Sequence, residues 1–279
     1  MTSTRRLALF GASLLAVWLS LAAGMPARAA ETVVELPTRP GVTQAFLGTP
    51  VQGKPVATVI LLPGSPGTLF KRNGSGQIQR DPRGAPLIYG GNFLIRTRHA
   101  FAAAGFLVFS VDVPSDHLGG VDAFRGTAEH AQDIAAVIAY ARQQAPVPVW
   151  LVGTSMGTIS AANAAARLKT GGPDGLVLTS SMTAPTKRSQ PINAVVDVGA
   201  ITVPTLFVHN KEDGCVAATF GGVAPLMEQF KHATRKELIA VSGGSPPQSD
   251  PCEALSRHGY LGIEDEVVGD IARWIKSAR

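Results

Sequence analysis

Apolar residues along the chain fall into two kinds of run. Short unbroken stretches rich in β-branched residues and leucine, at 56–62, 106–113, 149–152, 176–179, 205–209 and 236–241, carry the signature of strands covered on both faces. Between them, apolar side chains recur at helical spacing. In 121–144 these are Phe124, Ala128, Ala131, Ile134, Ala135, Ile138 and Ala139, while 263–276 sets Val267, Val268, Ile271, Trp274 and Ile275 on one face. Helices are also expected over 93–104 and 221–230, with a short helical patch near 193–198. Two opening strands, 32–36 and 43–47, are separated by Pro37, Pro40 and Gly41 and should lie at one edge of a sheet. This alternation predicts an α/β fold: a mostly parallel sheet of about eight strands, helices on both faces, and a site at the carboxyl ends of the strands. Only about two dozen residues separate 179 from 205, too few for a large cap domain.

One junction in this pattern carries candidate chemistry. The strand 149–152 runs into Gly153-Thr154-Ser155-Met156-Gly157, and an alanine-rich helix follows, with Ala161, Ala162, Ala164, Ala165 and Ala166 small enough to pack closely on a sheet. A strand turning sharply into a helix forces the residue at its apex into a strained conformation, which flanking glycines make possible. Ser155 stands at that apex with its hydroxyl exposed. In these residues the chain resembles the nucleophile elbow of the α/β-hydrolase family.

The resemblance runs from about Val56 to Trp274 and implies a Ser, acid, His order of catalytic residues. Serine is a poor nucleophile at neutral pH, so it needs a histidine to take its proton and an acid to hold that histidine. Asp213, just beyond the strand ending at His209, is the acid the resemblance implies, with Glu212 as the adjacent rival. His258, between the last strand and the closing helix, is the matching base; His99, His117, His130, His209 and His232 are expected to be surface or packing residues. The family builds part of its oxyanion hole in the loop after its third strand. Here that loop reads Pro63-Gly64-Ser65-Pro66-Gly67, and the backbone N–H groups of Ser65 and Met156 are the implied donors, since Pro66 has none. The implied reaction is cleavage of a small-molecule carboxylic ester through an acyl-enzyme on Ser155. Thioester or peptide cleavage by the same residues stays open, as does a non-catalytic binding protein on this fold. No metal or other cofactor is implied, for the chain lacks His-Glu-x-x-His and clustered cysteine and histidine spacing.

Charge and cysteine content change the picture in two respects. Arg5 and Arg6 precede an uncharged apolar stretch, 7–23, and Ala27-Arg28-Ala29 has the small-x-small form of a cleavage site, so residues 1–29 read as an export signal and 30–279 as a single mature domain. An uncleaved anchor is the rival reading; the general secretory route is favoured over the twin-arginine one, which Thr4-Arg5-Arg6-Leu7 matches only in part. Removing the leader takes away three arginines and no acid, lowering the formal charge from +5 to +2. Such a balance offers no case for nucleic-acid binding, and no stable membrane association is expected after cleavage. In an oxidising compartment, periplasmic or extracellular, Cys215 and Cys252 are expected to pair and to clamp the loop of Asp213 to the loop of His258. Lys71, Arg72, Arg80 and Arg83 form a basic loop with two readings: a rim that favours an acidic substrate, or a solvated face.

Overall fold

The computed structural model describes residues 30–187 and 189–278; the expected leader, 1–29, lies outside them. All eight strands form one sheet, in the order β1-β2-β4-β3-β5-β6-β7-β8. The strands are β1 (Thr32–Arg39), β2 (Val42–Thr49), β3 (Ala57–Leu62), β4 (Phe106–Pro114), β5 (Val149–Thr154), β6 (Gly175–Thr179), β7 (Thr205–Asn210) and β8 (Lys236–Val241). β1, β2 and β4 pair antiparallel, and every pairing from β4 through β8 is parallel. The two opening strands therefore sit at one edge, as their turn residues imply.

The unbroken apolar runs are explained by two helical layers. Along β5, Val149 and Leu151 face one layer while Trp150 and Val152 face the other; in β7, Phe207 opposes Leu206 and Val208 in the same way. This is the two-residue period of a strand with core on both sides. The first layer holds α3 (Ala128–Gln144), α4 (Gly157–Arg167) and α6 (Val223–Gln229). The second holds α1 (Phe93–Arg96), α2 (Arg98–Ala103) and α7 (Glu264–Ser277). Among the described residues between β6 and β7 there is only α5 (Ile192–Val195) and a short 3₁₀ turn, so no cap domain is inserted there.

Two helices differ from expectation. The helix over 93–104 breaks at Thr97, whose hydroxyl bonds the Phe93 carbonyl at 2.7 Å, a local alternative to helical hydrogen bonding. The helix expected over 121–144 begins only at Ala128, where the Thr127 side chain caps the His130 N–H. Residues 121–127 instead form turns tied to the loop after β3, the Val121 N–H donating to the Pro66 carbonyl at 3.0 Å.

Candidate active site

Ser155 stands between β5 and α4 with φ of +53°, a left-handed conformation that side chains rarely adopt. The chain can turn this sharply because of two glycines. A Cβ on Gly157 would lie 2.1 Å from the Leu62 carbonyl oxygen, and one on Gly153 would lie 2.5 Å from the Gly157 oxygen. Both contacts are with backbone, which cannot step aside, so the turn packs directly on the end of β3. The Ser155 N–H donates to the Thr179 carbonyl at 3.1 Å, and the Ser155 hydroxyl has the Met182 sulfur 4.0 Å away.

Asp213 lies in the loop after β7, its side chain fully buried. Its Oδ1 accepts from the Cys215 N–H at 2.9 Å, and its Oδ2 accepts from His258 Nδ1 at 2.8 Å. Burial would raise the Asp213 pKa, but the hydrogen bonds from His209 and His258, the charge His258 can carry, and the Cys215 N–H together hold it below the ordinary carboxylate value. The rival Glu212 points elsewhere: it accepts from the Gly243 N–H at 2.9 Å and pairs with Arg257, joining the acid loop to the histidine loop at the surface.

His258 sits on a 3₁₀ turn, 257–259, between β8 and α7. With Nδ1 committed to Asp213, its Nε2 is buried and meets no hydrogen-bond partner among the described residues. Ser180 Oγ donates to the His258 carbonyl at 2.7 Å, and the buried Tyr260 hydroxyl links the Ser180 N–H to the Val208 carbonyl. The histidine loop is thus fastened to the ends of β6 and β7. The Cys215–Cys252 disulfide is formed and joins the two loops, as expected.

Two cavities meet at Ser155. One, of about 740 Å³, is lined by Ser65, Lys71, Tyr89, Ser155, Glu253 and His258 among others. The second, about 430 Å³, opens toward Met182, Val216 and Ala217 and shares Ser65, Ser155, Cys252 and Glu253 with the first. The N–H groups of Ser65 and Met156 donate to no acceptor among the described residues. Of the basic loop, Lys71 reaches the first cavity, whereas Arg72 is committed to Asp112 at 2.7 Å and Arg80 to the Gly84 carbonyl at 2.9 Å. Among the described residues no group of three or more His, Cys, Asp or Glu could hold a metal ion, and no helix is long and apolar enough to cross a membrane.

The sequence-predicted residues Ser65, Ser155, Met156, Asp213 and His258 are therefore brought to one place, with the disulfide beside them. Three further residues at the site were not singled out by the pattern. His209, expected as a packing residue, stands 3.4 Å from Asp213 Oδ2. Asp122 and Arg125 lie beneath the loop after β3, Asp122 accepting from the Ser65 hydroxyl at 2.5 Å. Their three-residue spacing is the only signal in the sequence, and it reads equally well as a helical ion pair.

Comparison with known proteins agrees with the architecture. The family described as Hydrolase_4, serine aminopeptidase S33, matches residues 92–214, less than half of the chain, which include Ser155 and Asp213 but stop short of His258. A search of curated protein sequences finds no significant match. Among solved structures, an esterase from Pyrococcus furiosus superposes with a TM-score of 0.61 at 14% identity, over 89% of this chain and 91% of that one. A serine hydrolase without a lid from Xanthomonas campestris gives 0.58 at 15% identity, over 91% and 96%. A thermostable carboxyl esterase from Bacillus coagulans gives 0.56 at 14% identity, over 90% and 99%. With a strand, sharp serine turn and helix at the centre of an eight-stranded, mostly parallel sheet, the chain has the α/β-hydrolase fold, and over residues 92–214 it is similar to the serine aminopeptidase family.

Proposed function

We propose that the protein is a serine hydrolase that cleaves carboxylic esters of small molecules through an acyl-enzyme on Ser155. The observation that carries this reading is His258: its Nδ1 is held by Asp213 at 2.8 Å, while its buried Nε2 is unpartnered and its ring lines the cavity that Ser155 also lines. That is the arrangement a general base needs before a substrate arrives.

In the proposed reaction His258 Nε2 takes the Ser155 Oγ proton as Oγ bonds to the ester carbonyl carbon. The carbonyl oxygen becomes an oxyanion held by the N–H groups of Ser65 and Met156, each contributing about 3 kcal/mol to lowering the barrier. The tetrahedral species collapses, the carbon–oxygen bond to the alcohol breaks, and the alcohol leaves with the proton from Nε2. Water, deprotonated by the same nitrogen, then releases the acid and restores Ser155. Asp213 remains ionised throughout and compensates the imidazolium. The disulfide supports the further reading that the mature protein works outside the cytoplasm.

A second reading, cleavage of the amide bond at the amino terminus of a peptide, is favoured by the serine aminopeptidase match and by Glu253, a carboxylate that lines both cavities where a free amine would need one. Burst kinetics with nitrophenyl acetate and with an aminoacyl nitroanilide separate the two. Ester turnover that vanishes in Ser155→Ala is expected; turnover unchanged by that substitution overturns the assignment, and a strong preference for the anilide selects the second reading.

A further inference from the structure

A buried arginine lies under the loop that supplies one proposed oxyanion donor. Arg125 is only 2% exposed, and each of its guanidinium nitrogens has a partner. Nη2 donates to the Gly64 carbonyl at 3.0 Å, Nη1 to Ser160 Oγ on α4 at 2.9 Å, and Nε to Asp122 Oδ1 at 3.2 Å. The other carboxylate oxygen of Asp122 accepts from the Ser65 hydroxyl at 2.5 Å. The ion pair thus grips the Gly64–Ser65 peptide from both of its residues.

The consequence follows from peptide geometry. The 64–65 peptide is trans, and in a trans peptide the carbonyl and the N–H of the same planar unit point in opposite directions. Arg125 fixes the carbonyl edge from below. The Ser65 N–H must then point away from the guanidinium, and among the described residues it meets no acceptor. The serine turn lies against this loop: a Cβ on Gly64 would come within 3.1 Å of Ser155 Cβ, and Ser65 lines both cavities that meet at Ser155. A cation at the oxygen end of an amide also polarises it, making the N–H a stronger donor in a low-dielectric setting.

The neighbourhood is arranged to keep this single positive charge. Burial lowers the Arg125 pKa from its ordinary value, and the Asp122 charge counters that. His130, bonded to the same Ser160 hydroxyl at 2.9 Å, is kept neutral to about pH 3 by burial and then by the Arg125 charge, so no second cation competes for the hydroxyl. Neither group touches the Ser155 hydroxyl, and a fully buried guanidinium is a costly way to brace a turn that an apolar side chain could fill.

We infer that Arg125, backed by Asp122, is a positioning residue that aims and polarises the Ser65 N–H for the oxyanion; this rests on the serine hydrolase reading above. The test compares an activated ester with its thiono analogue, whose sulfur is a weak acceptor for oxyanion-hole donors. Wild-type protein is expected to process the thiono compound at least about 100-fold more slowly. In Arg125→Gln, kcat for the oxygen ester should fall about 100-fold with KM within about twofold, and the oxygen-to-sulfur ratio should shrink at least about tenfold. Asp122→Asn, at a partly exposed position, should move both quantities the same way by about five- to tenfold, and it decides the matter if near-UV circular dichroism shows that Arg125→Gln does not fold. A ratio unchanged in the folded variants, whatever happens to kcat, overturns the positioning role. Wild-type protein inert to the oxygen ester overturns the hydrolase reading, and this inference with it.

Discussion

His209 Nε2 stands 3.4 Å from Asp213 Oδ2, the same oxygen that accepts from His258 Nδ1, and donates more closely to the Ala218 carbonyl at 2.8 Å. The acid is therefore flanked by two imidazoles, one facing the cavity and one sealed in the core at 0% exposure. Replacing His209 with Phe removes a donor that favours the Asp213 carboxylate. Its kcat for an activated ester should drop about tenfold, with the acid limb of the pH–rate profile moved upward because the carboxylate is less well held. An unchanged profile would leave His209 a packing residue only.

The serine turn tolerates no side chain at Gly157, where a Cβ would collide with the Leu62 and Pro63 carbonyl oxygens at 2.1 and 2.7 Å. Gly157→Ala is expected to cost about 3 kcal/mol in urea unfolding and to abolish ester turnover. Full stability in the variant would mean that the turn can re-form elsewhere.

Cys215 and Cys252 close a loop with a sequence separation of 37. The chain-entropy relation gives about 4 kcal/mol for a loop of that length. The double variant Cys215→Ser, Cys252→Ser should lose stability of that order and lose activity at temperatures where its sheet is still folded. Thiol titration of the unreduced, unfolded protein should find no free cysteine; two free thiols would contradict the bridge.

His130 ionises near 6.5 in an unfolded chain and near 3 in the fold. Between those values the unfolded state binds more protons, so stability contributed by neutral His130 is complete above about pH 6.5 and is lost as the pH falls toward 3. At about 1.4 kcal/mol per pH unit this amounts to several kcal/mol. Urea midpoints measured from pH 7 to pH 3 should fall less steeply in His130→Gln than in the wild type; parallel curves would show that other groups govern acid unfolding.

Among the described residues the two most exposed large apolar side chains line different cavities that meet at Ser155: Tyr89, 53% exposed, the larger and Val216, 70% exposed, the smaller. An ester apolar on both its acyl and alcohol sides would cover one with each. Tyr89→Ser should raise KM about three- to tenfold for one chain-length series and Val216→Ser for the other, with acetate esters of small alcohols unaffected. Equal KM values across both series would mean that the substrate reaches neither side chain.

Much of this architecture was legible in the sequence because its signals are local. Strands buried on both faces announce themselves as unbroken apolar runs, and with the Ser, acid, His order that the family resemblance implies, the loops after those runs suggest Ser155, Asp213 and His258. What the local pattern does not carry depends on partners far along the chain. Val121 and Phe124 fall at helical spacing, yet the Val121 N–H is drawn to Pro66 and Phe124 stacks on His117 at 3.9 Å, so the helix waits until Ala128. Arg125 reads as an ordinary surface charge until Gly64 and Ser160 are brought beside it. In the same way Glu212 and Asp213 are indistinguishable as neighbours, and only the approach of His258 to one and Arg257 to the other separates them.

The 22-odd residues between β8 and α7 hold no strand and only one short helical turn, yet they carry His258. The serine half of the site is fixed by backbone collisions inside the sheet's own frame; the histidine half depends on a bridge, an ion pair and a tyrosine hydroxyl. These two halves are expected to open as different cooperative units. Amide hydrogens of this stretch should exchange with solvent through small local openings well below the free energy that releases those of β5. Warming or reducing the protein should therefore extinguish turnover while the sheet persists, and re-closing the bridge should restore it without refolding the core.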